Sequence, residues 1–193
     1  MTLPLEGRVT EADLIARARG GDTVAWETLT HQHQEAVFRL AYLILGDPAD
    51  ADDAAQETFI RAYHALDRFD LTRAARPWLL SITANTARNR LRSVGRYLSA
   101  LQRFLRADPA AFAPVTTSDP SESQLLWQAV HRLNAADQEI IYLRYFSAMS
   151  EAETAEALGI APGTVKSRTH RALERLRTVI DKDFPGLREG VVG

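Results

Sequence analysis

The chain has 193 residues, 46% of them hydrophobic, which is ordinary for a globular protein and excludes disorder throughout. It contains no Cys, which excludes a disulfide framework, a zinc finger and a thiol switch within the chain. Lys and Arg number 23 against 25 Asp and Glu, a net charge of −2, but the two signs are segregated along the sequence and their distribution says more than the sum.

Helix punctuation is frequent, no run alternates over several positions, and β-branched residues are scattered, so the expected fold class is all-α, as two small helical domains joined by a Pro-rich linker. Nothing near the start has the form of a signal peptide. The longest apolar run of the first half, Leu40 to Leu45, is too short to span a bilayer, so a soluble, cytoplasmic protein is expected. Thr10 with Asp13 caps a first helix that ends at Gly20-Gly21, and Asp22 caps a second that carries Trp26, Leu29, Val37, Leu40, Ala41 and Ile44 to Gly46. Pro48 opens a third helix, reaching about Leu66. Its first turns hold Asp50, Asp52, Asp53 and Glu57, with Asp47 before them and no Lys or Arg among them; the helix macrodipole alone favours such acids.

A polar loop from Asp67 to Arg76 follows, and Pro77 opens a fourth helix through Trp78, Leu79, Ile82 and Leu91. In it Leu80, Ala84, Ala87 and Leu91 form one stripe for burial, and Asn85, Asn89, Arg92 and Arg96 form a separate polar face; Trp78 is assigned to core packing. Six arginines between Arg88 and Arg106 meet no acid. Asn pairs with base edges and Arg holds phosphates, so this face suits DNA. Residues 107–121 carry three prolines, small residues and no hydrophobic period, the composition of an extended linker. The expected division is therefore a domain over 1–106, a linker over 107–121, a second domain over 122–182 and a tail over 183–193.

The second domain begins with a helix near Pro120 that carries Leu125, Leu126, Ala129, Val130 and Leu133, then one capped by Asn134 with Ile140, Ile141, Leu143 and Tyr145. From Ser150 to Arg177 the sequence reads as two short helices joined by a tight turn. Ser150 and Glu153 form a capping box, Ala152, Ala155 and Leu158 face inward, and Gly159 ends the helix. Pro162 fits the first position of the next helix, where Val165, Thr169, Ala172, Leu176 and Val179 repeat at core spacing. Its other face carries Thr164, Ser167, Arg168, Arg171 and Arg175. A helix N-terminus with small hydroxyls and long cations enters a major groove, contacts phosphates and reads guanine with a bidentate Arg.

No chemistry of the enzymatic kind has a home in this sequence. The five histidines are scattered; His31 and His33 point to different sides of one helix, and His31 with Glu35 is assigned to surface. No metal site, catalytic residue, Gly-rich phosphate loop or cofactor is expected, and the chain is not read as an enzyme.

Three segments together resemble the extracytoplasmic function (ECF) sigma factors of the bacterial sigma-70 family. The third helix continues its acids with Gln56-Glu57-Thr58-Phe59 and Tyr63, similar to the region that docks on RNA polymerase. Residues 75–92, ARPWLLSITANTARNRLR, resemble the promoter −10 segment. Leu143-Arg144-Tyr145 and Gly163-Thr164-Val165-Lys166-Ser167-Arg168 resemble the −35 domain. Ala148 stands where the family commonly has Gly, Thr154 where it has an aliphatic residue, and Asn134-Ala135 where a proline is frequent.

The resemblance implies a specificity subunit of core RNA polymerase that acts on no small-molecule substrate. Asp50, Asp53, Gln56, Glu57, Phe59 and Tyr63 would dock on the clamp helices of the largest subunit, with a second contact at the β-flap region. Phe69, Arg73 and Arg76 of the loop, with Asn85, Arg88, Asn89 and Arg92, would engage the −10 strand. Pro162, Gly163, Thr164, Lys166, Ser167, Arg168, Arg171 and Arg175 would hold −35 DNA, Ser167 and Arg171 on bases and Lys166, Arg168 and Arg175 on phosphates. An anti-sigma factor, often membrane-anchored, is the implied inhibitor, and no obligate homo-oligomer is expected. Two other readings are a dimeric helix-turn-helix regulator, for which no heptad seam is visible, and a helical interaction module, which would not need two DNA-suited faces.

Overall fold

The computed structural model describes residues 10–105 and 122–187, the side chains at 93–105 and 122–124 excepted, and the linker expected over 107–121 lies outside them. No strand occurs among the described residues. The helices are α1 (Glu11–Arg19), α2 (Thr23–Leu45), α3 (Pro48–Ala65), α4 (Ala75–Leu105), α5 (Glu122–His131), α6 (Ala135–Ile141), α7 (Glu151–Leu158) and α8 (Pro162–Asp183). The chain divides into two compact units after Arg90, inside α4.

In the first unit each helix starts where a side chain satisfies the otherwise orphaned N–H groups. Thr10 and Asp13 form the capping box of α1, Asp22 accepts from the Ala25 N–H at α2, and Asp47 accepts from the Asp50 N–H ahead of Pro48. The bond from the Thr10 N–H holds the Asp13 carboxyl below the usual carboxylate range. α2 stops at Gly46, whose φ of 76° is the left-handed conformation that residues with a Cβ avoid. α3 buries only small residues, Ala51, Ala54, Ala55, Thr58 and Ala62, which lets it lie close against α2. The larger volume comes from Ile15, Leu29, Val37, Leu40, Leu79 and Leu80, all essentially inaccessible, each worth about 1.5–3 kcal/mol of burial. Trp78 packs on two of the core clusters, with its ring 4.5 Å from that of Phe69.

α4 begins at Ala75, two residues before the expected Pro77. Pro77 still lies in the first turn, where a missing N–H removes no helical bond. The expected loop is also shortened at its start by a 3-10 turn over Leu66–Arg68. Leu80, Ala84 and Ala87 are buried as the stripe requires, but Leu91 is 42% exposed because the first unit's core ends a turn earlier.

In the second unit Asn134 caps α6, where it accepts from the Asp137 N–H and donates to the Asp137 carboxylate. This replaces by capping what a proline would do by fixed φ. After α6 the chain enters a π-helical turn, Tyr142–Phe146, closed by the Ser147 N–H on the Tyr142 carbonyl at 2.8 Å. One wider turn shifts the register, so Tyr142 and Leu143 are buried while Tyr145, expected inside, is 57% exposed. Burial pushes the Tyr142 phenol up to about 12. Leu126, expected inward, is 39% exposed, and Trp127 packs on Phe146 with centroids 4.7 Å apart. In α7 the buried residues are Thr154, Ala155 and Ala157, so the inward face is rotated from the expected one and Ala152 is exposed.

Ala148 has φ 51°, the one non-glycine residue in left-handed backbone among the described residues. That conformation costs an L-residue about 1–2 kcal/mol, and a glycine recovers it at about 0.4–1 kcal/mol of extra unfolded-state entropy. Ala148→Gly is therefore expected to stabilise the second unit by about 0.5–1 kcal/mol. Urea unfolding of the full chain checks this, as a raised midpoint at an unchanged slope.

Candidate functional site

The small-residue face of α3 fixes what its opposite face presents. With Ala51, Ala54, Ala55, Thr58 and Ala62 turned to the core, helical periodicity puts Asp53, Gln56, Ile60 and Tyr63 outward. Ile60 is 59% exposed in the middle of this face, a large apolar group beside the acids. Phe59 is half-buried and packs edge-on with Trp26, which also meets Tyr63 at 5.3 Å. Trp26, Phe59, Ile60 and Tyr63, with Thr23 and His64, line an open apolar cleft of about 340 Å³. The acids are individually anchored. Gln56 donates to Asp52 at 2.9 Å, Arg61 donates to Glu57 at 2.5 Å, and Arg90 of α4 reaches Asp50 at 3.2 Å and Asp53 at 2.5 Å.

The loop between α3 and α4 is braced at both ends from α1. Arg19 donates to the Leu66 carbonyl at 2.7 Å and to the Phe69 carbonyl, satisfying groups the helix end leaves open. Glu11 accepts from the Ala75 N–H at 3.1 Å, capping α4, while its other oxygen lies 2.9 Å from Nε2 of the buried His33. Within the loop Asp70 accepts from the Thr72 N–H and hydroxyl, which holds the Asp70 carboxyl low. This bracing places the expected −10 residues unequally. Phe69 is only 7% exposed and its ring belongs to the core beside Trp78; it anchors the loop from below. Arg73 and Leu71 are exposed at the loop surface and Arg76 is half-buried. Along α4, Asn85, Asn89 and Arg92 form one exposed strip at spacings of four and three, and Arg88 folds back to donate to Asn85 at 2.5 Å.

In the second unit α7 stops at Gly159, φ 65°, and α8 starts at Pro162 after a two-residue turn. Val165, Ala172 and Leu176 are buried, so Lys166, Ser167, Arg168 and Arg171 are all exposed on the remaining surface. Arg171 donates through Nε to the Ser167 carbonyl at 3.2 Å, which lays its side chain along the helix toward the N-terminus. A Cβ at Gly163 would meet no atom of this chain within 4 Å, so nothing inside the unit demands a glycine there. Arg175 sits differently from the other cations. Its Nε and Nη2 donate to the two oxygens of Asp137 at 2.5 and 2.6 Å, and that carboxylate is 8% exposed. Its fork is committed to tying α8 to α6, a structural task the sequence reading assigned to phosphate. The signal was present in Asp137, an acid three residues after an N-cap, but its partner 38 residues away was not visible.

Among the described residues no group of His, Asp and Glu is arranged to hold a metal, and no helix is long and apolar enough to cross a membrane. The arrangement offers three surfaces: an acidic and apolar face, an Asn-Arg strip beside a braced loop, and a cationic helix N-terminus.

Residues 29–97 match the Sigma-70 region 2 family and residues 123–176 match Sigma-70, region 4. The RNA polymerase sigma factor NccH of Alcaligenes xylosoxydans xylosoxydans is 36% identical over 172 residues, covering 86% of this chain and 92% of that protein. The ECF RNA polymerase sigma factor SigW of Bacillus subtilis (strain 168) is 32% identical, covering 84% and 92%. Among solved structures, CnrH in complex with the cytosolic domain of CnrY is similar with a TM-score of 0.65 and 28% identity, over 90% of this chain and 98% of that one. The sigma factor RpoE in complex with the anti-sigma factor NepR from Bartonella quintana gives a TM-score of 0.61 and 27% identity, over 78% and 92%.

Proposed function

The chain belongs to the sigma-70 family as an ECF sigma factor, and from that premise we propose how promoter-specific initiation is divided among its three surfaces. It is a transcription initiation factor with no catalytic task of its own, working in the cytoplasm on core RNA polymerase and promoter DNA. The α3 face docks on polymerase. Asp50, Asp53 and Glu57 supply charge for a basic coiled coil and Gln56 a hydrogen-bonding amide, while Phe59 and Tyr63 add apolar area that Ile60 extends. The pairing of exposed acids with exposed apolar groups on one helix carries this reading, since charges steer and orient a partner and apolar contact holds it.

The Asn85, Asn89, Arg92 strip and the loop residues Arg73 and Arg76 hold the −10 strand, with Arg88 setting Asn85 and Phe69 supporting the loop. A loop braced by Arg19 and Glu11 supplies a rigid wall against which an extruded base stacks or pairs, offsetting part of the unpairing cost. The start of α8 reads −35. Pro162, Gly163 and Thr164 bring the helix N-terminus to a phosphate, and the open space at Gly163 leaves room for close backbone approach. Lys166 and Arg168 hold further phosphates, Ser167 and Arg171 face bases, and Arg175 keeps the helix in place through Asp137.

An anti-sigma factor is the natural inhibitor, because a similar sigma factor is held by one and the exposed apolar face of α3 needs a cover when polymerase is absent. Reconstitution tests the whole reading. Core polymerase plus this chain is expected to start transcripts at a discrete set of genomic promoters, each lost when the chain is omitted. Tight binding of a palindromic duplex by the chain alone, without any effect on polymerase, would support a dimeric regulator instead.

A further inference from the structure

Arg90 lies on α4 between Asn89 and Arg92, yet its side chain leaves the Asn-Arg strip and crosses to α3. It bridges two carboxylates at once: Nε meets Asp50 Oδ1 at 3.2 Å and Nη2 meets Asp53 Oδ2 at 2.5 Å. Exposure orders the three groups. Arg90 is 29% exposed, Asp50 45% and Asp53 60%, so the cation lies inboard and the acids outboard of it. Each bond goes to one oxygen of its carboxylate, and both carboxylates keep exposed surface.

Three consequences follow from elementary electrostatics. Two acids three residues apart on a helix repel each other, and an inboard cation offsets that repulsion. The two ion pairs restrict the side-chain torsions of Asp50 and Asp53, so a partner that binds them loses less rotamer entropy. The remaining oxygens then accept from an incoming cation in a geometry already set, as a charge-assisted bond requires. We infer that Arg90 is a positioning residue for polymerase docking: it fixes Asp50 and Asp53 for the basic partner without touching that partner itself. The inference rests on the docking role proposed for α3.

The experiment measures the affinity of the full-length chain for core polymerase, for wild type, Arg90→Ala, Arg90→Gln, Arg90→Lys and Asp50→Asn/Asp53→Asn, alone and combined with Arg90→Ala. Arg90→Ala and Arg90→Gln are expected to weaken docking roughly tenfold, as loss of orientation at a charged contact does. Arg90→Lys should recover part of this, and transcription at saturating core should be unchanged. In the Asp50→Asn/Asp53→Asn background Arg90→Ala should cost nothing further, a coupling that a general loss of stability would not produce. Thermal unfolding of each variant identifies any that fails to fold, and the Gln and Lys variants keep the comparison open if Ala does.

Unchanged or tighter docking by Arg90→Ala overturns the inference, the tighter case by showing that Arg90 competes with the partner. A loss of equal size with and without the two aspartates overturns it as well. A wild-type chain that does not bind core overturns the docking reading, and the inference with it, whereas a binding wild type with indifferent Arg90 variants overturns the inference alone.

Discussion

Replacing Asp53 and Glu57 together by Arg is expected to remove promoter-directed transcription by at least about a hundredfold at core concentrations that saturate the wild type. The acids lie one turn apart on the exposed face of α3, their side chains 60% and 42% exposed, so the fold does not depend on them. Inside the chain the change removes the exposed Arg61–Glu57 pair and the Asp53 half of the Arg90 bridge. Exposed pairs of this kind contribute about 1 kcal/mol or less, too little to unfold the unit. Against a basic partner the sign of two contacts reverses. At 4 Å, with the effective dielectric of a protein surface, a single pair of unit charges is worth about 4 kcal/mol, and every 1.4 kcal/mol is tenfold in affinity. Circular dichroism should show the wild-type helix content. Run-off transcription from a dependent promoter should fall with binding to core, and duplex binding at −35 should be unaffected. Full transcription by the double variant would remove α3 from the docking surface.

The exposure of the α3 acids follows a local rule, although the sequence pointed to this face only through its family resemblance. Ala51, Ala54, Ala55, Thr58 and Ala62 stand at helical spacing and pack inward, so the acids between them turn outward. Caps were legible for the same reason: Thr10, Asp22, Asn134 and Ser150 act within three residues of themselves. Whatever depends on partners distant in sequence was hidden. Arg175 and Arg90 look like members of basic runs until Asp137 and Asp50 are brought to them from 38 and 40 residues away. Phe69 reads as a loop aromatic until Trp78 and the α1 brace draw it into the core. The displaced Tyr145 has a different cause, a π-helical turn that breaks the 3.6-residue count on which the inward assignment relied.

At −35 the same distinction between local and distant contacts sharpens what each cation should do. Arg175 is held by Asp137, and the base-reading role proposed for Arg171 suits its geometry, since the Nε bond to the Ser167 carbonyl steadies the side chain while its two terminal nitrogens form the fork that fits guanine O6 and N7. Arg171→Ala is expected to cost holoenzyme about 5- to 150-fold on a −35 duplex selected from random sequence, the equivalent of about 1–3 kcal/mol, and little on a scrambled duplex. Lys166, exposed nearer the start of α8, is the proposed phosphate contact in either sequence. Lys166→Ala should weaken both duplexes alike and lower the slope of log affinity against log salt by about one. Titrating both variants on both duplexes across a salt series separates the roles, because a phosphate contact moves the slope and a base contact moves the ratio. Equal losses for Arg171→Ala on the two duplexes would assign it to the backbone, and the reading of sequence would then rest on Ser167 and Thr164, the hydroxyl side chains of the first two turns of α8.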